Sequence, residues 1–430
     1  MRFRDVLFPE GGKLRNFLRD SNIKIKTLIY GKVPEESKET TYWKIMERLE
    51  PGPKELKMQS RTTLKISPKI SVVIITNNSS SNNKKTLIKS IKKQTYSNFE
   101  IIEIDKLDIK KIVESTKGEY ITIVYQDEII AKSCLFEFVK YINETPDIQA
   151  IYTDEDKFIK NLQNRMQPIF KPDFSIDLLR GNNYIGNTVL IKKTILEEIE
   201  ECNNSYDLIL RLCEKTDKIG HIQKVLYHTR KAENQEEILK TDKKTIENHL
   251  KRVGLEAQII ETSMQGIYDI QYKVNREPKV SILIPNKDEK ETLKTCIESI
   301  INKTTYKNYE IIIIENNSTT QEIYDYYKEL EKKVNIKILY FPEKEFNYSR
   351  IINYGVKNSD GEYIIQLNND TELITKNWIE KMLGYCQRQD VGAVGARLYY
   401  SDMSLQHGGV VIGLGGVAGH RFLYLKQNIF

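Results

Sequence analysis

The chain reads as an α/β protein of mixed, mostly parallel sheets with flanking helices, built from two tandem copies of one domain. Three observations predict this. Short β-branched runs such as Ile70–Ile75, ISVVII, are what strands buried on both faces carry. Helical apolar spacing alternates with those runs, the signature of strand–helix–strand units. The whole framework then returns later in the chain. KISVVIIT at Lys69 recurs as KVSILIPN at Lys279, and Tyr96 and Glu100 recur as Tyr306 and Glu310, each 210 residues on. GEYITIVYQDE, with Gly118 and Asp127, recurs as GEYIIQLNNDTE, with Gly361 and Asp370, each 243 residues on. Repetition at such a period means tandem whole domains, not a solenoid of short units.

Composition bounds the class. With 430 residues, 40% hydrophobic and 29% charged, the chain has apolar content for two or three cores. A formal charge of +6, from 66 basic and 60 acidic residues, is too slight to imply nucleic acid. It suits anionic substrates or an acidic membrane surface. The five cysteines form no C-x-x-C and pair with no histidine spacing, so free thiols of a reducing cytosol are expected, not zinc or disulfides. No secretory signal opens the sequence, and no apolar run approaches the roughly eighteen residues a membrane helix needs.

In order along the chain, residues 1–66 form a leader of helical character. Its stretch Lys13–Tyr30 mixes apolar and basic residues at helical spacing, as a helix packed on the next domain or one lying on a membrane surface would. The first domain spans 67–232: strand Ile70–Ile75, a helix with Leu87, Ile88 and Ile91, strand Phe99–Ile104, then the GEY strand. Asp154, Glu155 and Asp156 read as an acidic turn, solvated or binding an acceptor. Residues 233–277 are a linker, with a charged helix over Lys231–Arg252 and paired strands Gln258–Glu261 and Tyr268–Val274. The second domain spans 278–430. Between its second strand and its GEY strand it has 33 residues that the first lacks, roughly Ser318–Asn358, with a helix carrying Tyr324, Tyr327 and Leu330, strand Ile336–Phe341 and the turn Phe346–Arg350.

The chemistry concentrates where the second GEY strand ends, at Asn368-Asn369-Asp370-Thr371. Ligands of open α/β sheets bind at the carboxyl ends of strands. Asp370 and Glu372 offer hard oxygens of the kind Mg²⁺ or Mn²⁺ prefers, with Asn368 as a neutral neighbour. A plain turn with a helix cap is the competing reading of the same residues. The glycines at 413–419 lack the helix and later acid of a dinucleotide loop. His407 and His420 stand too far apart in sequence to signal a metal pair.

Several stretches together carry a family resemblance: VSILIPNKD from Val280, EIIIIENNST from Glu310, FNYSRIINYGVKNSDGEYIIQLNNDTELI from Phe346, and DVGAVGARLYY followed by QHGGVVIGLGGVAGH from Asp390. IYTDEDK from Ile151, FKPDFSIDLLRGNNYIG from Phe170, YDLILR from Tyr206 and KVLYHTR from Lys224 add to it. Over about residues 67 to 430 the chain resembles tandem family 2 glycosyltransferases of bacterial cell-surface polysaccharide synthesis. The resemblance implies two GT-A-like (nucleotide-diphospho-sugar transferase) domains. It further implies a nucleotide-sugar donor, a divalent cation (Mg or Mn), a glycan or lipid-linked acceptor, and inversion at the anomeric carbon. It places the protein in the cytoplasm, with peripheral attachment to the inner membrane face.

By the same resemblance Asp370 holds the metal, with Asn368 in place of the first acid of the family's Asp-x-Asp. Glu315 and Asn316 contact base or ribose, and Asp288, Asn347 and Arg350 complete the donor site. In the first copy Asp127 is the metal candidate, with Tyr125 in place of the first acid. The general base an inverting transfer needs sits in a downstream acidic motif, which YDLILR resembles, making Asp207 the first copy's candidate. Asp207 lies 80 residues after Asp127; the same spacing after Asp370 passes Phe430. The second copy is thus expected to be truncated before its base, unless Glu372, Asp402 or His407 serves. A non-catalytic scaffold or sugar-binding protein of the same fold is the alternative.

Overall fold

The computed structural model describes residues 42, 45–46, 48–76, 81–159, 162, 165–230, 236–333, 335–420 and 422–426. The amphipathic stretch Lys13–Tyr30 lies outside them. The chain divides into two compact units, one of residues up to Val253 with Gln265–Tyr268, the other of Gly254–Met264 with Asp269 onward. No helix among the described residues is long and apolar enough to cross a membrane.

Unit 1 holds strands β1 (Ile70–Ile75), β2 (Phe99–Ile104), β3 (Tyr120–Tyr125), β4 (Ile129–Ile130), β5 (Ala150–Phe158), β6 (Arg165–Ile169), β7 (Val189–Lys192) and β8 (Ile219–Arg230). They form one sheet in the order β2-β1-β3-β7-β5-β8-β4, with β6 on β5. Strand β1 runs parallel to β2 and β3, whereas β7 is antiparallel to both β3 and β5. The order mixes parallel and antiparallel pairs because β7 returns between two strands that run the other way.

Three helices matter to unit 1's site: α1 (Ser81–Ile91), α2 (Ser205–Cys213) and α3 (Glu236–Arg252). Helix α3, expected in a linker, is held within unit 1. Its His249 is buried against Arg180 and Glu214, and its Arg252 pairs with Glu214 and Asp207.

In unit 2, β9 (Ala257–Glu261) and β10 (Tyr268–Tyr272) make a two-stranded ribbon. Strands β11 (Val280–Asn286), β12 (Tyr309–Glu315), β13 (Ile336–Tyr340) and β14 (Tyr363–Gln366) form a fully parallel sheet in the order β13-β12-β11-β14. Alternate residues of β11 face opposite cores. Val280, Ile282 and Ile284 pack with helices α4 (Lys290–Lys303) and α5 (Gln321–Leu330), and Leu283 packs with α6 (Tyr348–Lys357). Each fully buried Ile contributes about 1.5–3 kcal/mol, so burial on both faces makes this strand the anchor of the unit.

The same contacts hold β1, β2 and β3 in unit 1 and β11, β12 and β14 in unit 2. Ser71 Oγ donates to Glu100 at 2.6 Å and Ser281 Oγ to Glu310 at 2.5 Å. Lys69 pairs with Glu100 at 3.1 Å and Lys279 with Glu310 at 3.0 Å. Tyr96 and Tyr306 donate to the carbonyls of Pro68 and Pro278, both at 2.6 Å. The glycines of the two GEY stretches close the set. Gly118 N–H donates to Ser71 Oγ at 2.9 Å and Gly361 N–H to Ser281 Oγ at 2.8 Å. A Cβ on either glycine would come within 2.6 Å of that serine, so the Gly is required by close approach. These repeated residues are a structural clasp, which is why they stand out in the sequence without belonging to the chemistry.

The units differ beyond the clasp. Strand β3 of unit 1 has β7 as its second neighbour, whereas β14 ends its sheet and its residues are half-buried or exposed. Residues 393–401 stand 243 after β5 but contain only the short strand β15 (Leu398–Tyr399), paired with β16 (Leu405–His407). A hairpin of β17 (Val410–Ile412) and β18 (Ala418–His420) follows, with Val410, Val411, Ile412 and Val417 exposed.

The acidic stretch Asp154–Asp156 is not a turn. It lies inside β5, buried, and each carboxylate has cationic or hydrogen-bonding partners. Asp156 takes Arg165 Nε at 2.6 Å, His228 Nδ1 at 2.7 Å and the Tyr42 hydroxyl at 2.7 Å. Glu155 takes Lys171 Nζ at 2.9 Å, and Asp154 takes His221 Nε2 at 2.9 Å. Burial raises the Asp156 carboxyl, and its bonds to His228, Arg165 and Tyr42 outweigh that and hold it below the ordinary value.

Candidate functional site

In unit 2 the carboxyl ends of β14, β11 and β12 lie side by side, and polar residues replace the apolar runs there. Past β14 the chain turns through Asn368, Asn369 and Asp370. The Thr371 N–H closes on the Asn368 carbonyl at 3.3 Å. Beyond the turn, Ser299 Oγ of α4 accepts from Leu373 N–H at 3.1 Å, and Lys303 binds Glu372 at 3.0 Å and the Leu373 carbonyl at 2.6 Å. Glu372 is thereby committed to Lys303 and does not join Asp370.

Alternation along the turn sorts its side chains. Asn368 and Asp370 are exposed. Asn369 between them points inward and donates to Asn286 Oδ1, at the end of β11, at 2.7 Å. Among the described residues the Asp370 side chain has no hydrogen bond or ion pair.

Asn286 donates in turn to the Tyr327 hydroxyl at 2.8 Å, and Tyr327 donates to Glu315 Oε2 at 2.6 Å. Ser318 Oγ reaches the same oxygen at 2.6 Å, and Ser318 N–H donates to Glu315 Oε1. Glu315 is 2% exposed and its carboxylate is filled by these donors, so it organises the loop after β12 from below. Asn316 is buried beside it, with its N–H on the Asn286 carbonyl at 2.9 Å.

Asp288 serves the same loop. At φ 60, in the left-handed region that Asp tolerates, its Oδ1 accepts from Thr319 N–H at 2.6 Å and Thr320 N–H at 3.0 Å. Those backbone bonds, Thr319 first, hold its carboxyl below the ordinary value. Asn347 caps α6, accepting from Arg350 N–H at 3.1 Å, and Arg350 pairs with Glu343 at 2.7 Å. Asp402 accepts from Ser404 N–H and Oγ at 2.9 and 2.6 Å. His407 and His420, far apart in sequence, meet with their Nδ1 atoms 3.0 Å apart, because His407 ends β16 just before β17, whose Val410 pairs with His420 of β18.

Unit 1 arranges the matching edge differently. Asp127 lies in the turn after β3, followed by Glu128, which sequence reasoning passed over. Burial pushes the Glu128 carboxyl up to about 8, even though it accepts from Tyr125 N–H at 2.6 Å and Asn187 Nδ2 at 3.1 Å. Asn187 Oδ1 accepts from Ser205 Oγ at 2.7 Å. These bonds bring the Asp127 turn and the first turn of α2 together. Asp207, on that helix, is not an open base. It is 1% exposed, takes Asn203 N–H at 3.1 Å, and pairs with Arg211 at 3.2 Å and Arg252 at 3.1 Å. Two guanidiniums and the Asn203 backbone and amide N–H groups occupy its oxygens.

Among the described residues no three His, Cys, Asp or Glu side chains converge as a protein-built metal cage would. The open carboxylate of Asp370 beside the Asn368 amide fits a hard cation that keeps most of its coordination for water and a bound oxyanion, as Mg²⁺ does.

Residues 281–411, which contain this edge, match the family model described as Glycosyl transferase family 2. The chain is similar to "Uncharacterized protein y4gI" of Sinorhizobium fredii, 31% identical over 410 residues, covering 84% of this chain and 45% of that protein. It is also similar to "O-antigen biosynthesis protein RfbC" of Myxococcus xanthus, 32% identical over 327 residues, covering 73% of this chain and 25% of that one. The chain thus spans under half the length of these relatives. Among solved structures, S. aureus TarS 1-349 in complex with UDP-GlcNAc aligns over 39% of this chain and 60% of its own, at 15% identity and a TM-score of 0.32. The chain carries a family 2 glycosyltransferase domain.

Proposed function

We propose that this chain, through the family 2 glycosyltransferase domain in unit 2, binds a nucleotide-sugar donor and serves an inverting sugar transfer in surface polysaccharide synthesis. The acceptor is a glycan or lipid-linked sugar. The observation that carries this reading is Asp370: an exposed carboxylate with no hydrogen bond or ion pair among the described residues, on a turn tied down on both sides, at the strand ends where α/β sheets bind ligands. Asp370 with Asn368 would hold Mg²⁺ or Mn²⁺, which neutralises charge on the departing nucleoside diphosphate. Asn316, with the loop that Asp288 and Glu315 organise, faces base or ribose. Asn347 and Arg350 flank the diphosphate from α6, Arg350 after release from Glu343.

Unit 1 supports the fold and not the donor in this reading. Asp207 is locked in ion pairs, and Asp127 stands in a unit that joins β2 to β3 through one short helix, Ile109–Ser115, where unit 2 has α5, β13 and α6. A non-catalytic role for unit 1 therefore accompanies a donor-binding unit 2. Calorimetry with UDP, GDP, ADP and CDP plus Mn²⁺ tests both halves. One site per chain is expected for the preferred nucleotide, with metal-dependent binding lost in Asp370→Ala and unchanged in Asp127→Ala. Two equivalent sites, or an unaffected Asp370→Ala, would refute the reading.

A further inference from the structure

The chain of hydrogen bonds beneath the Asp370 turn runs one way. Asn369 donates to Asn286, Asn286 to Tyr327, and Tyr327 to the Glu315 carboxylate, at 2.7, 2.8 and 2.6 Å. It crosses the ends of three adjacent strands, β14, β11 and β12. Asn286, Tyr327 and Glu315 are 3%, 1% and 2% exposed, so none has water to fall back on. From Glu315 the chain continues through Ser318 Oγ, which accepts from Asp288 N–H at 2.7 Å. The exposed carboxylate on one side and the 316–320 loop on the other are thus tied to one buried acid.

Unit 1 is an internal control. Its first three strands have the same order, direction and clasp. At the matching positions stand Thr76 for Asn286, Asp105 for Glu315 and Gln126 for Asn369. Thr76 Oγ1 turns back to the Ile104 carbonyl at 3.2 Å, and Asp105, 71% exposed, pairs with Lys111. Tyr327 has no counterpart, because α5 lies in the interval unit 1 lacks. The strands and their register therefore form without the relay, which occurs where the Asn-Asn-Asp turn does.

We propose that the relay Asn369–Asn286–Tyr327–Glu315 couples the Asp370 turn to the 316–320 loop, making Asn286 and Tyr327 positioning residues for metal-assisted binding of a nucleoside diphosphate. This rests on the donor-site reading of unit 2. A donor chain that ends in a carboxylate has one sense, so each amide is fixed in one orientation and Asn369 is drawn under the sheet. That leaves Asp370 exposed, with no hydrogen bond or ion pair among the described residues, at the same edge of strand ends as the 316–320 loop. Buried networks of this kind exceed the sum of their pairs, so loss of any link releases the rest.

Two measurements on the full chain test this. The first is amide hydrogen exchange without ligand. Tyr327→Phe, which keeps the ring and removes the hydroxyl, should speed exchange at least tenfold over residues 367–373 while leaving the clasp at Gly361–Tyr363 unchanged. Unchanged exchange at 367–373 overturns the coupling whether or not a nucleotide binds. The second is the ratio of Kd without metal to Kd with Mn²⁺ for the best-binding of UDP, GDP, ADP and CDP. It should fall about tenfold in Tyr327→Phe and in the half-buried variant Asn369→Ala, although neither removes a metal ligand. The double variant should fall no further than either single one, since both break one chain. Additive effects, or a ratio unmoved in folded variants, would make the network merely structural and overturn the proposal. If the wild type binds none of the four, the donor-site reading and the positioning role built on it fail, while the exchange result still decides the coupling.

Discussion

At the residue scale, burial and partners separate acids that look alike in the sequence. Asp207 and Asp370 are both aspartates, yet one is wrapped by two arginines and the other is exposed. Asp154–Asp156 read as a turn because three consecutive acids rarely enter a sheet. The partners that admit them, Lys171, Arg165, His221 and His228, lie up to 72 residues away in sequence. Long-range pairing has no local sign, and the same limit hid Asn286, Tyr327 and Asn369. Glu100 gives the pH dependence of this scale. Burial raises its carboxyl, but Ser71, Lys117 N–H and Lys69 together hold it down at about 2. A depressed acid contributes stability above its unfolded value of 4.5 that fades as pH falls through the folded value. The Tm of unit 1 should therefore drop between about pH 4.5 and 2 more steeply in the wild type than in Glu100→Gln, which should be less stable at pH 7. Parallel Tm curves would show that Glu100 is not ionised in the clasp.

At the scale of elements, β-branched runs announced β1, β11 and β12, because parallel strands with both faces buried have no polar side to blur them. The two GEY strands were legible for a different reason, the clasp that repeats their glycine. Gly361 meets Ser281 so closely that a methyl group has no room, whereas Gly392 has open space around its Cβ position. Gly361→Ala should cost roughly 1–3 kcal/mol, the range for overpacking, and Gly392→Ala should be near neutral by urea denaturation. Equal costs would show that β14 shifts freely and that the glycine answers to something else. What the sequence did not disclose was the end of the second sheet. Residues 393–401 carry the pattern of β5 weakly, as AVGARLYYS, and small residues without a neighbouring strand stay in loop.

At the scale of the whole molecule, the framework repeated in the sequence explains both what was readable and what was misleading. Two copies make a pattern visible that one copy leaves as an ordinary turn, yet they also invite equal roles for Asp127 and Asp370, which sit in dissimilar surroundings. The shared clasp has a further consequence, for the order in which the chain assembles. Two receptors, each made of a strand (ISVVII or VSILI) with the lysine before it and the glutamate of the neighbouring strand, present the same serine, lysine and glutamate to two incoming segments that both begin GEYI. Neighbouring domains this alike are prone to exchange elements while they fold. A segment seated in the wrong receptor satisfies every clasp contact and is betrayed only by the length of chain it must bridge, so it leaves slowly. Refolding from urea should accordingly split into a fast direct route and a slow one in which misplaced segments unseat and re-sort. Ser281→Val, which spoils one receptor, should shrink the slow amplitude. A single exponential in the wild type would mean that the 33 extra residues between strands suffice to sort the two segments from the start.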